Sequence, residues 1–407
     1  MKAYRISTGQ TMDPFGDSVS DVRILDTPLG ELQEDIIKNA GFVLCEEVPK
    51  NEPYLLISDR VWCTAPLLER IRKNMQFGRI RILDERWIRS THPLQDLCDQ
   101  AYDLALVPEN TDPTFTDIPF LDFDAEIREG EPLDLHEAIS HAAREVCLTP
   151  FSIHHLDHWS HIPRVNQLAI LAQMEEARYR WKQSGFWGKI SLILGFLWKI
   201  RSFSRETILR RIGSIGKNCK IHPTAVVEAC TIGDNVEIGP HAVVRACVVG
   251  EGAKIDEHCV VNLSVVGKGA RVGRTAICNL SILYPNVMFS HGDGLQGSVF
   301  GTSSFLAIGV VGLDISFGKE IQVQKDDEWV SSGMHFLGVA VGHRSIIGNG
   351  VRLNYGVSVP NDAVLLGPRE DLYLDASGAL PRVPSVLKEG KAVPLRKAQL
   401  SEPRSEQ

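Results

Sequence analysis

The chain has 407 residues, room for two or three domains, and its 43% hydrophobic and 23% charged content is that of a soluble globular protein. Lysine and arginine number 43 against 51 aspartates and glutamates, and the net charge of −8 argues against a general nucleic-acid binder. The nine cysteines form no CxxC pair, so reduced thiols in a cytoplasmic protein are expected rather than a disulfide frame or a zinc knuckle. The opening MKAYRISTGQTMDPFGDS has one early lysine and no apolar core, so no secretory leader is expected.

The first part of the chain alternates helix-like and strand-like segments. TPLGELQEDIIKNAGF (27–42) has helical periodicity and stops at Gly41, and APLLERIRKN (65–74) reads as a second helix. YLLISD (54–59), RIRIL (79–83) and AYDLALV (101–107) read as strands, an α/β order. His154, His155, His158 and His161 invite a metal reading, with His154, His158 and His161 able to share one helix face. With no cysteine and only Asp157 as a carboxylate among them, a polar edge before the next helix is the plainer expectation.

Three pieces of this region resemble the sugar-nucleotide nucleotidylyltransferases. They are Pro28 to Phe42, then Tyr54 to Asp59 followed by Thr64-Ala65-Pro66-Leu67-Leu68, then Trp159 with Asn166 and Leu168-Ala169-Ile170. The resemblance implies a nucleotidylyltransferase-like domain over residues 1–172 and puts Asp59 in the place of a metal- and substrate-binding aspartate. A strand-end turn residue is the other reading of Asp59. The family's glycine-rich phosphate loop is missing: residues 1–25 hold Gly9 and Gly16, with no glycine pair and no following arginine. The expectation is a degenerate domain that either holds a sugar nucleotide or is only structural.

Residues 173–212 read as a helical bridge. Within it FWGKISLILGFLWKI (186–200) is the most apolar stretch of the chain, flanked by arginines and lysines. At fifteen residues it falls short of the roughly 20 needed to span a bilayer. Two readings stay open: a helix packed between domains or subunits, and peripheral contact with an anionic membrane at its inner face.

A 17-residue ruler then runs through the chain. Ile215, Ile232, Val249, Val266 and Leu283 keep this spacing, as do Ile221, Ile238, Ile255, Val272 and Phe289, and Val227, Val244, Val261 and Cys278. Each period divides into steps of six, six and five, so each coil has three short sides. Four residues after an opener comes a small or β-branched residue, such as Cys219, Ala225, Ala253, Cys259 or Ala270. Such residues suit a narrow interior where coils stack at roughly 4.8 Å. The repeats IGKNCK, IGDNVE, IGPHAV, VGEGAK and VGKGAR resemble the left-handed parallel β-helix of the hexapeptide acyltransferases. This predicts a solenoid over 213–370, with an excursion at about 289–340 carrying a hairpin at 320–333. A mostly disordered tail is predicted over 371–407.

Hexapeptide acyltransferases generally use a histidine base in the groove between subunits, acting on acyl-CoA. His291 with Asp293 at the start of the excursion, and His335 and His343 at its end, are the candidate catalytic residues, with Asn354 a candidate substrate contact. His241 and His258 occupy the same slot one coil apart, a surface stack rather than a metal site. The layout resembles that of the bifunctional N-acetylglucosamine-1-phosphate uridylyltransferase/acetyltransferases. It implies a homotrimeric, CoA-dependent acyltransferase acting on a sugar or nucleotide-sugar hydroxyl or amine, with acyl-CoA as co-substrate and no bound metal. A non-catalytic scaffold or regulatory protein is the second reading, and a zinc lyase or hydrase the third.

Overall fold

A computed structural model describes residues 1–91, 93–129, 147–185, 213–292, 294–367, 385–388 and 391–394. Its first half is built on a six-stranded mixed sheet. The strands are β1 (Lys2–Ile6), β2 (Val43–Cys45), β3 (Tyr54–Ser58), β4 (Gly78–Arg81), β5 (Ala101–Val107) and β6 (Phe120–Asp122), in the order β6-β4-β5-β3-β1-β2. β1 is parallel to both β2 and β3, β4 is parallel to β6, and β5 runs antiparallel between β3 and β4.

β3 is buried along its whole length, which is why YLLIS reads as a continuous apolar run rather than an alternation. Leu55 and Ile57 join a core with Ile37, Leu67, Leu68 and Ile71 from the covering helices, while Tyr54 and Leu56 pack with Ala105, Val107 and Ile118 on the other side. Those helices are α1 (Leu29–Asn39) and α2 (Ala65–Asn74). α1 gives way to Gly41 at φ +81°, where a side chain would run into the Arg72 guanidinium. α3 (Glu85–Ser90) starts at Asp84, whose carboxylate accepts from the Arg86 N–H. The 23-residue α4 (His161–Gln183) follows, with Val165 and Leu168 in the core shared with the second half and Tyr179 against Phe151.

The second half is a left-handed parallel β-helix. Its three faces are parallel ladders of eight, eight and seven strands, the first from Ser214–Ile215 to Ser358–Val359, the second from Lys220–Ile221 to Val364–Leu365, the third from Val226–Glu228 to Arg352–Leu353. The ruler residues line the interior: Ile238, Ile255, Val272 and Phe289 are all 2% exposed or less.

The ruler does not fail at Phe289. Phe289 pairs with Leu306, Leu283 with Phe300 and Cys278 with Leu295, so the coils continue through the glycine- and serine-rich segment. Serine fits the narrow interior there because its hydroxyl is satisfied. Ser298 Oγ donates to the Gln296 carbonyl (3.0 Å) and accepts from the Val339 N–H (3.0 Å). The excursion is therefore shorter than expected, lying between Val311–Gly312 and Ala340–Val341, and it carries the hairpin Gln322–Lys325/Glu328–Ser331. In the polar tail, Ser385–Lys388 and Lys391–Pro394 pair antiparallel.

One continuous core joins the two halves, with Phe15, Ile24, Trp62, Trp159 and Val165 packed together with Ile282, Tyr284 and Val299. On the first face, the outward-pointing Val265, Ile282, Val299 and Ala340 are at most 1% exposed, because the α/β domain covers them. No helix among the described residues is long and apolar enough to cross a membrane, and the apolar stretch 186–200 lies outside those residues.

Candidate functional site

In the α/β domain β1 ends between its two parallel neighbours, β2 and β3. Asp59 stands there, one residue beyond β3 and 4% exposed. Its carboxylate accepts from the Thr8 N–H (3.0 Å), the Thr8 hydroxyl (2.9 Å) and the Ser58 hydroxyl (3.4 Å). Asp59 thus ties the turn after β1 to the end of β3. Three inward hydrogen bonds occupy much of what a cation would need.

Beneath it lies a charged network that the sequence did not announce. The Arg60 guanidinium donates to Asp103 (2.6 and 2.9 Å) and Asp157 (2.8 Å), and Arg79 donates to the other Asp103 oxygen (2.7 Å). The four histidines of 154–161 do not share a helix face, and His155 and His161 meet this network at the Asp103 and Asp157 amides. His154 and His155 lie on the strand Ile153–His155, and His161 opens α4. All four are buried rather than forming a polar edge. His155 Nε2 accepts from the Asp103 N–H (2.8 Å), and burial, reinforced by the Arg60 charge, holds its pKa well below 6.5. His158 Nε2 donates to the Gln324 carbonyl on the excursion hairpin (3.0 Å), and burial pushes its pKa down to about 4. In His155 and His158 burial thus favours the neutral imidazole. Among the described residues no group of three His, Cys, Asp or Glu is arranged to hold a metal.

The chain between β1 and α1 takes the position of the missing phosphate loop, and it is docked onto the β-helix. Phe15, 2% exposed, stacks on Tyr284 (5.6 Å between centroids) and leans on His343 (5.4 Å). Asn361 donates to the Phe15 carbonyl (2.6 Å), the Arg23 N–H donates to Tyr284 Oη (3.1 Å), and the Lys268 N–H donates to Asp26 (3.0 Å).

His343 belongs to this junction and is not placed to act as a base. Its Nδ1 accepts from the Thr302 N–H (2.8 Å), which makes Nε2 the donor to Asp17 (3.0 Å), so neither nitrogen is left to take a substrate proton. The other candidates do not gather around it. His291 is exposed at the corner between second and third faces, in a coil that follows the ruler, so it does not open the excursion. His343 lies between first and second faces, and exposed Asn354 between third and first. His335 is half-buried within the excursion, its carbonyl accepting from the Ser316 N–H (2.9 Å). Asp293 lies outside the described residues.

Two further features sit near the start of the solenoid. The exposed His241 and His258 rings stack at 5.1 Å and 20°, with Thr224 Oγ1 accepting from the His241 N–H (3.0 Å). An open groove of about 430 Å³ runs across three coils, lined by Lys220, His222, Glu237, Pro240, Lys254 and Asp256 among others. Lys220 and then Lys254 lower the Glu237 pKa from its usual value.

Residues 203–293 match the family model described as the GMPPB C-terminal domain, a stretch that takes in the first coils of the β-helix and none of the α/β sheet. No curated protein matches the chain significantly. Through that stretch the chain is similar to nucleotidyltransferase/acetyltransferase-like proteins that carry a hexapeptide-repeat β-helix.

Proposed function

We propose that the protein is a non-catalytic assembly or regulatory protein, in which a nucleotidyltransferase-like domain is fixed onto a left-handed β-helix. The observation that carries this reading is the use of the chain after β1. Where nucleotide phosphates would need open backbone N–H groups, Phe15, Asp17, Arg23 and Asp26 are spent on contacts with Tyr284, His343 and Lys268. The turn at Thr8 and Gly9, tied to Asp59, is the place for a sugar nucleotide to be sensed rather than turned over, and the β-helix supplies the assembly surface. A calorimetric titration of nucleotide sugars against wild type and Thr8→Pro tests this. Saturable binding without pyrophosphate release, weakened in the variant, supports it. Pyrophosphate release from a nucleoside triphosphate and a sugar phosphate refutes it.

A homotrimeric, CoA-dependent acyltransferase acting on a sugar or nucleotide-sugar hydroxyl or amine is the second reading. What favours it is the match of residues 203–293, hexapeptide-repeat coils of the kind that acetyltransferase-like proteins carry. Exposed His291 would then supply the base from its corner to a site shared with a neighbour. Free-CoA release from acyl-CoAs with amino-sugar and nucleotide-sugar acceptors, lost in His291→Ala, would move the protein to this class.

A further inference from the structure

One interior slot of the β-helix, at the corner where the third face passes into the first, is filled in successive coils by Cys230, Cys247, Ser264, Ser281 and Ser298, each 17 residues after the last. All five are 3% exposed or less. The slot asks for a small hydrogen-bond donor. Ser264 Oγ donates to the carbonyls of Asn262 (2.7 Å) and Cys278 (3.1 Å), and the Ser281 N–H donates back to Ser264 Oγ (3.1 Å). The thiols point the same way. Cys230 Sγ donates to the carbonyls of Glu228 (3.1 Å) and Val244 (3.3 Å), and Cys247 Sγ to those of Arg245 (3.0 Å) and Val261 (3.3 Å).

Serine therefore meets the packing needs of this slot, and sulphur in its first two positions adds a reactivity that the fold does not require. The other interior cysteines of the solenoid have no such neighbour: Cys219 adjoins Val236, Cys259 lies between Ala242 and Ala276, and Cys278 between Val261 and Leu295. Stacked coils hold equivalent Cα atoms roughly 4.8 Å apart, inside the roughly 4.4–6.8 Å that a disulfide spans. The end of the solenoid is one coil away. There the ruler residue Ile215 is 55% exposed, against 2% for Ile232 in the next coil. The residue 17 before Cys230 is Gly213, with no side chain to close the slot. The two thiols also differ: a hydrogen bond with the Cys247 thiol holds the Cys230 pKa below its usual value, whereas burial pushes Cys247 up. Cys230 is thus the nucleophile of the pair and Cys247 the resolving thiol.

We propose that Cys230 and Cys247 form an oxidation site at which hydrogen peroxide joins them in a disulfide between adjacent coils. The Cys230 sulphur, as thiolate, attacks one peroxide oxygen. The O–O bond breaks, a sulfenic acid is left on Cys230, and the other oxygen departs as water, taking up the proton that the thiol gave. The Cys247 sulphur then attacks the Cys230 sulphur: the S–O bond breaks, the S–S bond forms and a second water leaves. The two thiols give up two electrons and two protons, and the peroxide is reduced to two waters. A dithiol restores the pair by exchange. The bond staples the second coil to the third beside the open end, where the stack has a neighbour on one side only. The inference does not depend on whether the protein is catalytic.

The test adds hydrogen peroxide to the folded full chain until the exposed Cys98 is oxidised, then blocks remaining thiols with iodoacetamide in denaturant and digests with trypsin without reductant. Residues 221–245 and 246–254 are separate tryptic peptides with one cysteine each. The expected product is these two peptides linked, two hydrogens lighter than their sum and released by dithiothreitol. Because serine already fills the slot at Ser264, Cys230→Ser and Cys247→Ser should keep the wild-type melt. Cys247→Ser should leave Cys230 as a sulfenic acid that dimedone traps on unfolding, and Cys230→Ser should leave Cys247 fully alkylated. Both thiols alkylated in oxidised wild type overturns the proposal. So does linkage of either one to a different cysteine, or a Cys247 that is oxidised as readily in Cys230→Ser as in wild type.

Discussion

Phe15→Ala removes the side chain that fastens the α/β domain to the solenoid. The ring is 2% exposed and lies against Tyr284, itself 2% exposed, and His343. Truncating a buried phenylalanine costs about 3–5 kcal/mol, of which stacking accounts for about 0.5–1.5. Because one core runs through both halves, the cost should appear at the junction before it appears in the far coils. Native-state hydrogen exchange reads this directly. The Arg23 amide donating to Tyr284 Oη and the Lys268 amide donating to Asp26 report the docked state. A loss of 3 kcal/mol in the docking free energy corresponds to about 150-fold faster exchange at these amides. Amides of the first coils, such as that of Glu237, should change far less. Phe317→Ala is the comparison, since Phe317 is 73% exposed and its loss should stay within about 0.5 kcal/mol. If Phe15→Ala accelerates the two reporter amides no more than Phe317→Ala does, the junction is not held in the way described.

Ala270→Phe should destabilise the solenoid by about 1–3 kcal/mol or more, since Ala270 is fully buried, whereas Lys268→Ala should be nearly neutral because its side chain is exposed; equal losses in denaturant melts would refute the register. His158, held at about 4 by burial against 6.5 when unfolded, gives a stability contribution that is complete above pH 6.5 and is lost as pH falls towards 4, at up to about 1.4 kcal/mol per pH unit. His158→Gln should flatten that part of the stability curve, and an unchanged slope would count against a buried neutral imidazole. Wild-type protein should release no pyrophosphate from nucleoside triphosphates and sugar phosphates, and release abolished by Asp59→Asn would restore the catalytic reading of that carboxylate.

The periodic part of this molecule was legible because a solenoid writes its geometry into the chain at fixed intervals. Ile221, Ile238, Ile255 and Val272 repeat because each must fill the same interior slot. The reading went astray at Ser298 and Leu295, where glycine and serine resembled an excursion although their slots match Ser281 and Cys278 one coil earlier. The helices at Leu29–Asn39 and Ala65–Asn74 and the strands at Tyr54–Ser58 and Ala101–Val107 were likewise readable from local pattern. The docking contacts were not, because nothing periodic links residues so far apart: Asp17 and His343 are 326 positions apart. His343 looked like a base by its place near the end of an excursion, and only the Thr302 amide on its other nitrogen reveals its role. The outward apolar run Met288, Phe305 and Ile346 on the second face was hidden for a related reason. Met288 and Phe305 keep the 17-residue spacing, but Ile346 stands 41 residues beyond Phe305, and the two become neighbours only when the intervening hairpin segment is looped out. Looping it out puts an apolar residue where the ladder would otherwise end. The excursion therefore lets the second-face ladder continue, besides reaching across to His158.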